Sequence, residues 1–393
     1  MNKAAVILGA YVNAYSVVSE LYEEGVKDII VVSHKLDVCA FSNKVNQFIK
    51  SPLNAKYLLK TLLDLNKSYE RLVIYSTQDL HLELLLEIKD KVQHFCFIPF
   101  NETNVSQCID KSYQYGVCAE IGVPYPKTVP LRKPEDFGQL SVLMFPIIVK
   151  PSTRLDKKIK VFRSLLLQDK EALKQKKNSI NLFFSQGVSF IASEVIPGDG
   201  SNIHSYMGYR NKKGEILNEW IGKKITQYPD DFGIFSSATN HSAKEVMEQG
   251  RALLHGLNLY GINQPEFKYD YRDGKYKLME INLRSMMWNR VGYLSGVKLH
   301  LTQWEDALGE KTTPYLQNTQ QHFRYLYFKH ELVCLLFRKG YYKTYFKEHF
   351  KSTEKIHWAT LDKSDWKPFI FDQYKTIKTL IAQCLKALKI ISE

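Results

Sequence analysis

Along the first hundred positions, short apolar runs alternate with longer stretches in which apolar residues recur every three or four places. The runs Ala4 to Leu8, Ile29 to Val32, Leu72 to Tyr75 and Phe95 to Ile98 have the length and β-branched content of buried strands. The stretches from about Ala14 to Glu24, Lys56 to Leu65 and Leu80 to Val92 have helical spacing. Strand and helix in alternation predict a parallel sheet covered by helices.

Only Gly9 follows the first strand, so the Gly-x-Gly-x-x-Gly fingerprint of dinucleotide binding is missing. The expectation is a Rossmann-like scaffold without a nicotinamide cofactor. Asp110-Lys111 opens a further helix, which Gly122-Val-Pro124-Tyr-Pro126 stops. Phe145-Pro-Ile-Ile-Val-Lys150-Pro151 reads as a buried strand that ends in lysine. A helix near Asp169 to Lys177, a strand near Val188 to Val195, and strands at Ser205 to Tyr209 and Ile216 to Ile221 follow. His241 to Gly256 then leads as a helix into a hairpin.

That hairpin carries the candidate chemistry. Glu266 to Tyr271 and Tyr276 to Asn282 read as its strands, and alternation puts Glu280, Asn282 and Arg284 on one face. A loop of Asp273 and Gly274 alone would pair Glu266 with Ile281. A three-residue loop, Arg272 to Gly274, pairs it with Glu280, and this register is the expectation. Two carboxylates facing each other at about 5 Å repel unless a cation lies between them. Oxygen ligands without Cys or His suit Mg²⁺ sharing phosphate oxygens and water.

Composition narrows the class. The chain has 393 residues, 45% of them hydrophobic, enough for two or three domains with ample cores. Its six cysteines show neither Cys-x-x-Cys pairs nor a metal-ligand rhythm, and they read as free thiols of a reducing compartment. Met1 to Ala10 has the outline of a short signal peptide, but its apolar run is brief and polar residues follow, so cytoplasmic location is expected. The net charge of +13 is uneven, since the last fifth of the chain is strongly basic. There Ile377, Leu380, Ile381, Cys384, Leu385 and Leu388 make an apolar stripe at helical spacing among lysines. Such a helix either docks on the protein's own body or lies on an anionic membrane surface. No nucleic-acid-binding module is recognisable, and no nucleic-acid partner is expected.

Lys111, the Gly122 to Pro126 turn, the Phe145 to Pro151 strand, Glu194-Val-Ile-Pro-Gly198, and Glu266 with Glu280-Ile-Asn282-Leu-Arg284 occur in the order found in ATP-grasp enzymes. The chain resembles that superfamily over residues 1 to 305. Gly222-Lys223-Lys224-Ile-Thr-Gln-Tyr-Pro229, Pro265 to Asp270 and Trp288-Asn289 resemble the carboxylate-amine ligase subgroup around D-aspartate ligase, many of whose members are associated with cell-envelope polymers.

The resemblance implies an α/β chain with an ATP-grasp fold preceded by a Rossmann-like parallel-sheet domain, followed by a helical basic C-terminal region. The expected segments are 1–105, 106–190, 191–309 and 310–393. ATP and Mg²⁺ are the implied cofactors, and a carboxylate and an amine, small or lipid-linked, the implied substrates. Lys111 and Lys150 match lysines that hold the α- and β-phosphates. Glu194 matches a hinge residue whose surrounding backbone, Ser193, Val195 and Ile196, pairs with adenine. Either Asp199 or Ser201 takes the ribose hydroxyls. Lys224 matches a lysine near the transferred phosphate, Glu266, Glu280 and Asn282 match magnesium ligands, and Arg284 matches an arginine that steadies the acyl-phosphate. The segment Pro151 to Lys160 departs from the family pattern by having no glycine in its lid. A catalytically silent nucleotide-binding or membrane adaptor and an ATP-dependent carboxylase are the competing functions.

Overall fold

The computed structural model describes residues 2–100, 102–108, 110–152, 159–229 and 233–387. Its first part holds strands β1 (Lys3–Leu8), β2 (Ile29–Ser33), β3 (Gln47–Lys50), β4 (Arg71–Ser76) and β5 (Cys96–Phe97) with helices α1 (Val12–Glu23), α2 (Ala55–Asn66) and α3 (Asp79–Val92). The strands form one parallel sheet in the order β3-β2-β1-β4-β5. Both faces are covered, which explains the unbroken apolar runs. Ala4, Val6, Leu72 and Ile74 pack with α2 and α3, whereas Ala5, Ile7, Val73 and Tyr75 pack with α1. Edge strand β3 escaped the sequence reading because its four residues, Gln-Phe-Ile-Lys, leave no apolar run to detect.

Helices α4 (Glu102–Cys108) and α5 (Lys111–Ile121) lead to a second sheet. It comprises β6 (Thr128–Leu131), β7 (Ile147–Pro151), β8 (Leu165–Leu167) and β9 (Phe190–Glu194), antiparallel in the order β6-β9-β7-β8, with α6 (Lys170–Ser185) beside it. This layer has its own core of Leu131, Ile147, Val149, Ile180 and Phe190. Asp169 caps α6 through the Ala172 N–H, as its sequence position predicts.

The remaining elements are β10 (Ile203–Arg210), β11 (Ile216–Tyr228), β12 (Ile234–Thr239), α7 (Lys244–Gly256), β13 (Gly261–Asp270), β14 (Lys275–Asn282), α8 (Arg290–Leu294) and α9 (Leu299–Ala307). They are followed by β15 (Phe323–Leu326), α10 (Phe328–Phe337), α11 (Tyr341–Tyr345), β16 (Lys355–Trp358) and α12 (Lys367–Ala387). A seven-stranded sheet runs β14-β13-β10-β11-β12-β15-β16. The C-terminal region is therefore not helical throughout. Its strands β15 and β16 extend the sheet beside β12, because the aromatic run from Phe323 buries Phe323, Tyr325 and Leu326.

Helix α12 docks on the body through polar contacts and through Phe371, stacked on Phe41 at 4.2 Å, and Phe369, edge-on to Phe328. Asp372 accepts from Tyr327 Oη at 2.8 Å and from Thr360 Oγ1 at 3.2 Å, and Lys375 pairs with Asp37 at 2.7 Å. The expected apolar stripe faces outward in part: Ile377, Ile381 and Cys384 are exposed, while Leu380 and Leu385 are half-buried. Leu388 lies outside the described residues. With Trp366, Ile370 and Tyr374, the exposed isoleucines form one ridge. No helix among the described residues is long and apolar enough to cross a membrane. All six cysteines are free, and all but Cys384 are buried.

Ahead of α12, Asp365 binds the C-terminal region to α1 and to the loop between β2 and β3. Its buried carboxylate accepts from Tyr15 Oη at 3.1 Å, from the Asn43 N–H at 3.0 Å and from Ser42 Oγ. Asp365→Ala strands these donors, and a loss of about 3 kcal/mol in unfolding free energy is expected from urea titration.

Candidate active site

The carboxylate hairpin forms the expected register, by a route different from the expected one. Glu266 pairs with Glu280 and Gln264 with Asn282. The turn is four residues long, Tyr271 to Gly274, since Asp270 pairs with Lys275. Asp270 builds this turn: its buried carboxylate takes Arg272 Nε at 2.9 Å, the Arg272 N–H at 3.1 Å and Lys277 Nζ at 2.8 Å. The hydrogen bonds from Arg272, joined by those from Lys277, hold the acid well below the usual carboxylate range. Left uncorrected, the longer turn would turn Glu280 away from Glu266. A bulge at Met279 restores the pairing, because Phe267 faces Leu278 and the Leu278 N–H leaves the ladder to bind Pro124 O at 2.8 Å.

Ser205 of β10 lies beside Glu266 on one side and Gly222 of β11 on the other, so alternation brings Lys224 to the same face. Lys224 Nζ donates to Glu266 Oε1 at 2.7 Å, with both side chains buried. Lys111 is the first residue of α5, with Asp110 as its N-cap, and its own N–H donates to Ser152 O at 3.2 Å. That bond sets the helix start against the end of β7, where Lys150 stands. Lys111 Nζ is 3.8 Å from Glu280 Oε2. Three lysines from a helix, a strand of the second sheet and a strand of the third thus surround two acids.

The electrostatics follow from this crowding. Two carboxylates about 5 Å apart repel by about 3 kcal/mol at an effective dielectric constant near 20. Burial raises the pKa of Glu266, against the pull of Lys224 and with a further push from Glu280. Burial would raise Glu280 as well, but Lys111, Lys150 and Lys224 together hold it low. Lys150 is pushed down to about 8, by burial first and by Lys111 next, against the attraction of Glu280.

Among the described residues no three His, Cys, Asp or Glu side chains converge as a metal cluster, so a cation here would have two carboxylates and an amide. The set fits Mg²⁺, which uses few protein ligands and keeps phosphate oxygens and water. Asn282 Nδ2 and Gln264 Oε1, opposite each other beside the acids, are buried and lack partners among the described residues. These orphaned polar atoms mark a place for a polar ligand.

Arg284 follows the hairpin and is bound by Asp79 of α3, Nε to Oδ1 at 2.8 Å and Nη2 to Oδ2 at 3.1 Å. His81, on the same helix, is pushed down to about 3 by burial and then by Arg284. Asp79, Gln264 and Ser205 were not singled out in the sequence. Asp79 gave one usable signal, an acid in the first turn of a helix just after a strand end.

The residues matched to the nucleotide base are less open than expected. Ser193 is paired on both sides, with β6 and β7, and its hydroxyl meets that of Thr128 at 2.8 Å. The Glu194 N–H donates to Lys127 O and the Val195 N–H to Pro146 O, each at 3.0 Å. The Glu194 carboxylate accepts from the Met144 N–H at 3.0 Å, so it holds the start of β7 in place. Ile196 follows these paired residues. Asp199 and Ser201 bind each other, Oγ to Oδ1 at 2.6 Å. Of the glycine-free lid, Thr153 to Lys158 lie outside the described residues.

Other polar residues near the motifs have structural partners. His204 lies on the opposite face of β10 from Ser205, where Nδ1 meets Ser242 Oγ at 2.8 Å. Asn240 ties down the strap that follows α9 through the carbonyls of Asn318 and Gln321. His241 lies edge-on to His322. Trp288 packs edge-on against Trp220 in the core, and Asn289 Oδ1 accepts the Met286 N–H.

No family model matches the chain. D-aspartate ligase of Enterococcus faecium (strain Aus0004) is 24% identical over 335 residues, covering 80% of this chain and 78% of that protein. The N5-carboxyaminoimidazole synthetase from Staphylococcus aureus, solved with ADP, superposes with a TM-score of 0.62 at 13% identity, covering 82% of this chain and 81% of that one. The L-amino acid ligase from Bacillus licheniformis gives 0.55 at 13% identity, over 81% and 76%. The chain has the ATP-grasp fold and is a homologue of D-aspartate ligase.

Proposed function

We propose that this protein is an ATP- and Mg²⁺-dependent ligase that activates a carboxylate as an acyl-phosphate and joins it to an amine, releasing ADP and phosphate. The observation that carries this reading is the Glu266–Glu280 pair beside Asn282, ringed by Lys111, Lys150 and Lys224. An adaptor has no need of two acids held together against their repulsion. A carboxylate is a poor acylating agent because oxide would have to leave; phosphorylation replaces that leaving group with phosphate. The attacking amine then forms the C–N bond, phosphate departs, and the amine loses a proton.

Each side chain has a part in bringing anions together. Lys111 and Lys150 hold the α- and β-phosphates, Lys224 meets the phosphoryl group in transit, and Arg284 exchanges part of its grip on Asp79 for the substrate carboxylate and its phosphate. Glu266, Glu280 and Asn282 would hold Mg²⁺, which when bound neutralises phosphate oxygens and aligns them for transfer. The adenine edge is read by the carbonyls after β9 and the Ile196 N–H, since the preceding N–H groups are engaged. Asp199 and Ser201 meet the ribose as a bonded pair.

The substrate's setting is the cytoplasmic face of an anionic membrane, in cell-envelope polymer assembly, with one substrate carried on lipid. Two features support this: the sequence kinship with D-aspartate ligase, and the exposed ridge of Trp366, Ile370, Tyr374, Ile377 and Ile381 with Lys367 and Lys378 on the same helix. Deleting residues 311–393 would remove two strands and the Asp365 anchor, so surface substitutions make the cleaner test. The triple variant Ile370→Ser/Ile377→Ser/Ile381→Ser is expected to lose about tenfold in co-sedimentation with phosphatidylglycerol vesicles, with neutral vesicles as control.

Glu280→Gln should abolish formation of an amide and ADP in a mass-spectrometric screen of carboxylate and amine pairs, while the melting temperature is retained, because one charge is lost at nearly constant volume. Retained turnover would count against the assignment. Lys150 supplies a pH test. Its ammonium is present below about pH 8 and lost above it, so nucleotide binding at higher pH must take up a proton. Calorimetric titration with MgADP from about pH 7 to 9.5 should show affinity falling by up to about tenfold per pH unit above 8, a dependence that Lys150→Arg removes.

A further inference from the structure

Glu331 of α10 is a buried acid far from the hairpin in sequence, yet it is tied to the strand that carries Lys224. Its carboxylate accepts from Thr226 Oγ1 at 2.7 Å, Ser236 Oγ at 2.7 Å and Tyr341 Oη at 2.6 Å. Thr226 also shares a hydroxyl contact with Ser237, and Ser237 meets His349 Nε2 at 3.3 Å. His349 stands in a π-helical turn, Phe346–Phe350, with its Nε2 3.7 Å from Glu331 Oε2. A carboxylate this deeply buried is strongly destabilising unless its lone pairs are satisfied. Here the donors come from β11, β12 and α11.

Two of those donors mark an irregularity in the sheet. Lys224 pairs with Ala238, but Thr226 pairs with Ser237 and Gln227 with Phe235. Strand β11 therefore has one extra residue, Ile225, and β12 then has one of its own, Ser236. The two bulges compensate, so the register beyond them is unchanged. Bulges re-aim neighbouring side chains. Lys224 directly precedes the first one, and the Thr226 and Ser236 hydroxyls that bracket the pair both end on Glu331.

We propose that Glu331 is a positioning residue for Lys224: by gathering the Thr226 and Ser236 hydroxyls it fixes the paired bulges that aim the Lys224 ammonium at Glu266. The C-terminal region thereby becomes part of the construction of the site. Its effect on turnover rests on the ligase reading given above, whereas its effect on Lys224 does not.

The test uses the full chain with Glu331→Gln and Tyr341→Phe. Acetylation by acetic anhydride is quantified at residue 224 by peptide mass spectrometry, with exposed Lys67 and Lys244 as internal controls. Glu331→Gln should raise labelling of Lys224 about fivefold or more, and Tyr341→Phe, which removes one hydroxyl, about twofold, with control lysines unchanged. In parallel, the kcat for ADP release from MgATP should fall about tenfold in Glu331→Gln while KM for ATP changes less than about twofold. Unchanged Lys224 labelling in both variants, or a lowered melting temperature as their sole effect, overturns the proposal. If Glu331→Gln does not fold, Tyr341→Phe decides alone. A wild-type protein that neither binds MgADP nor releases ADP defeats the ligase reading, and the labelling result still settles the role of Glu331.

Discussion

Mutual repulsion between Glu266 and Glu280 is the constraint to which the surrounding structure responds. Placed opposite each other on adjacent strands, the two acids would drive the hairpin toward another register were they not compensated. Compensation comes from separate parts of the chain: Lys224 from the neighbouring strand, Lys111 from a helix start, and Lys150 from a different sheet. The seven-stranded sheet supplies the acids and the antiparallel four-stranded sheet leans a cation over them. Polyanion binding fits this balance, since a phosphate chain with its cation can take the place of the direct lysine–carboxylate contacts.

The same logic extends to the parallel sheet. Its carboxyl end delivers Asp79 at the head of α3, and Asp79 holds Arg284 in a two-point grip. An arginine held in one orientation loses less freedom when a carboxylate or phosphate arrives. The C-terminal region closes the assembly from the far side. Asp365, Asp372 and Glu331 are all buried acids whose donors belong to other elements, so this region is fastened by polar contacts as well as by the burial of Phe323, Tyr325 and Tyr327, while the apolar ridge of α12 stays exposed.

Much of this was legible along the chain. Alternating strands and helices announced the parallel sheet, because both faces of such a sheet are buried and its strands become unbroken apolar runs. Asp110 and Asp169 were readable as helix starts, since a cap is a local interaction. The Glu266–Glu280 pairing was anticipated, but for an incomplete reason. A three-residue turn was expected, whereas the chain uses four and recovers the register with a bulge whose freed N–H finds Pro124. Nothing local to the hairpin encodes that partner. Trp288-Asn289 carried part of the family resemblance in the sequence; in the structure Trp288 lies edge-on to Trp220 and Asn289 accepts from the Met286 N–H, and the Trp220 contact joins segments that local sequence does not link.

Periodicity, caps and alternation along the strands were sufficient, by themselves, to indicate the parallel sheet, the helices that cover it and the carboxylate hairpin, since these properties act over a few residues or repeat along a strand. The tertiary structure alone decided that Asp79 would hold Arg284, that Glu331 would anchor the strand behind Lys224, and that β15 and β16 would extend the sheet. Those outcomes depend on burying polar groups against partners tens to hundreds of positions away, and the cost of an unpaired buried group is not written in local sequence.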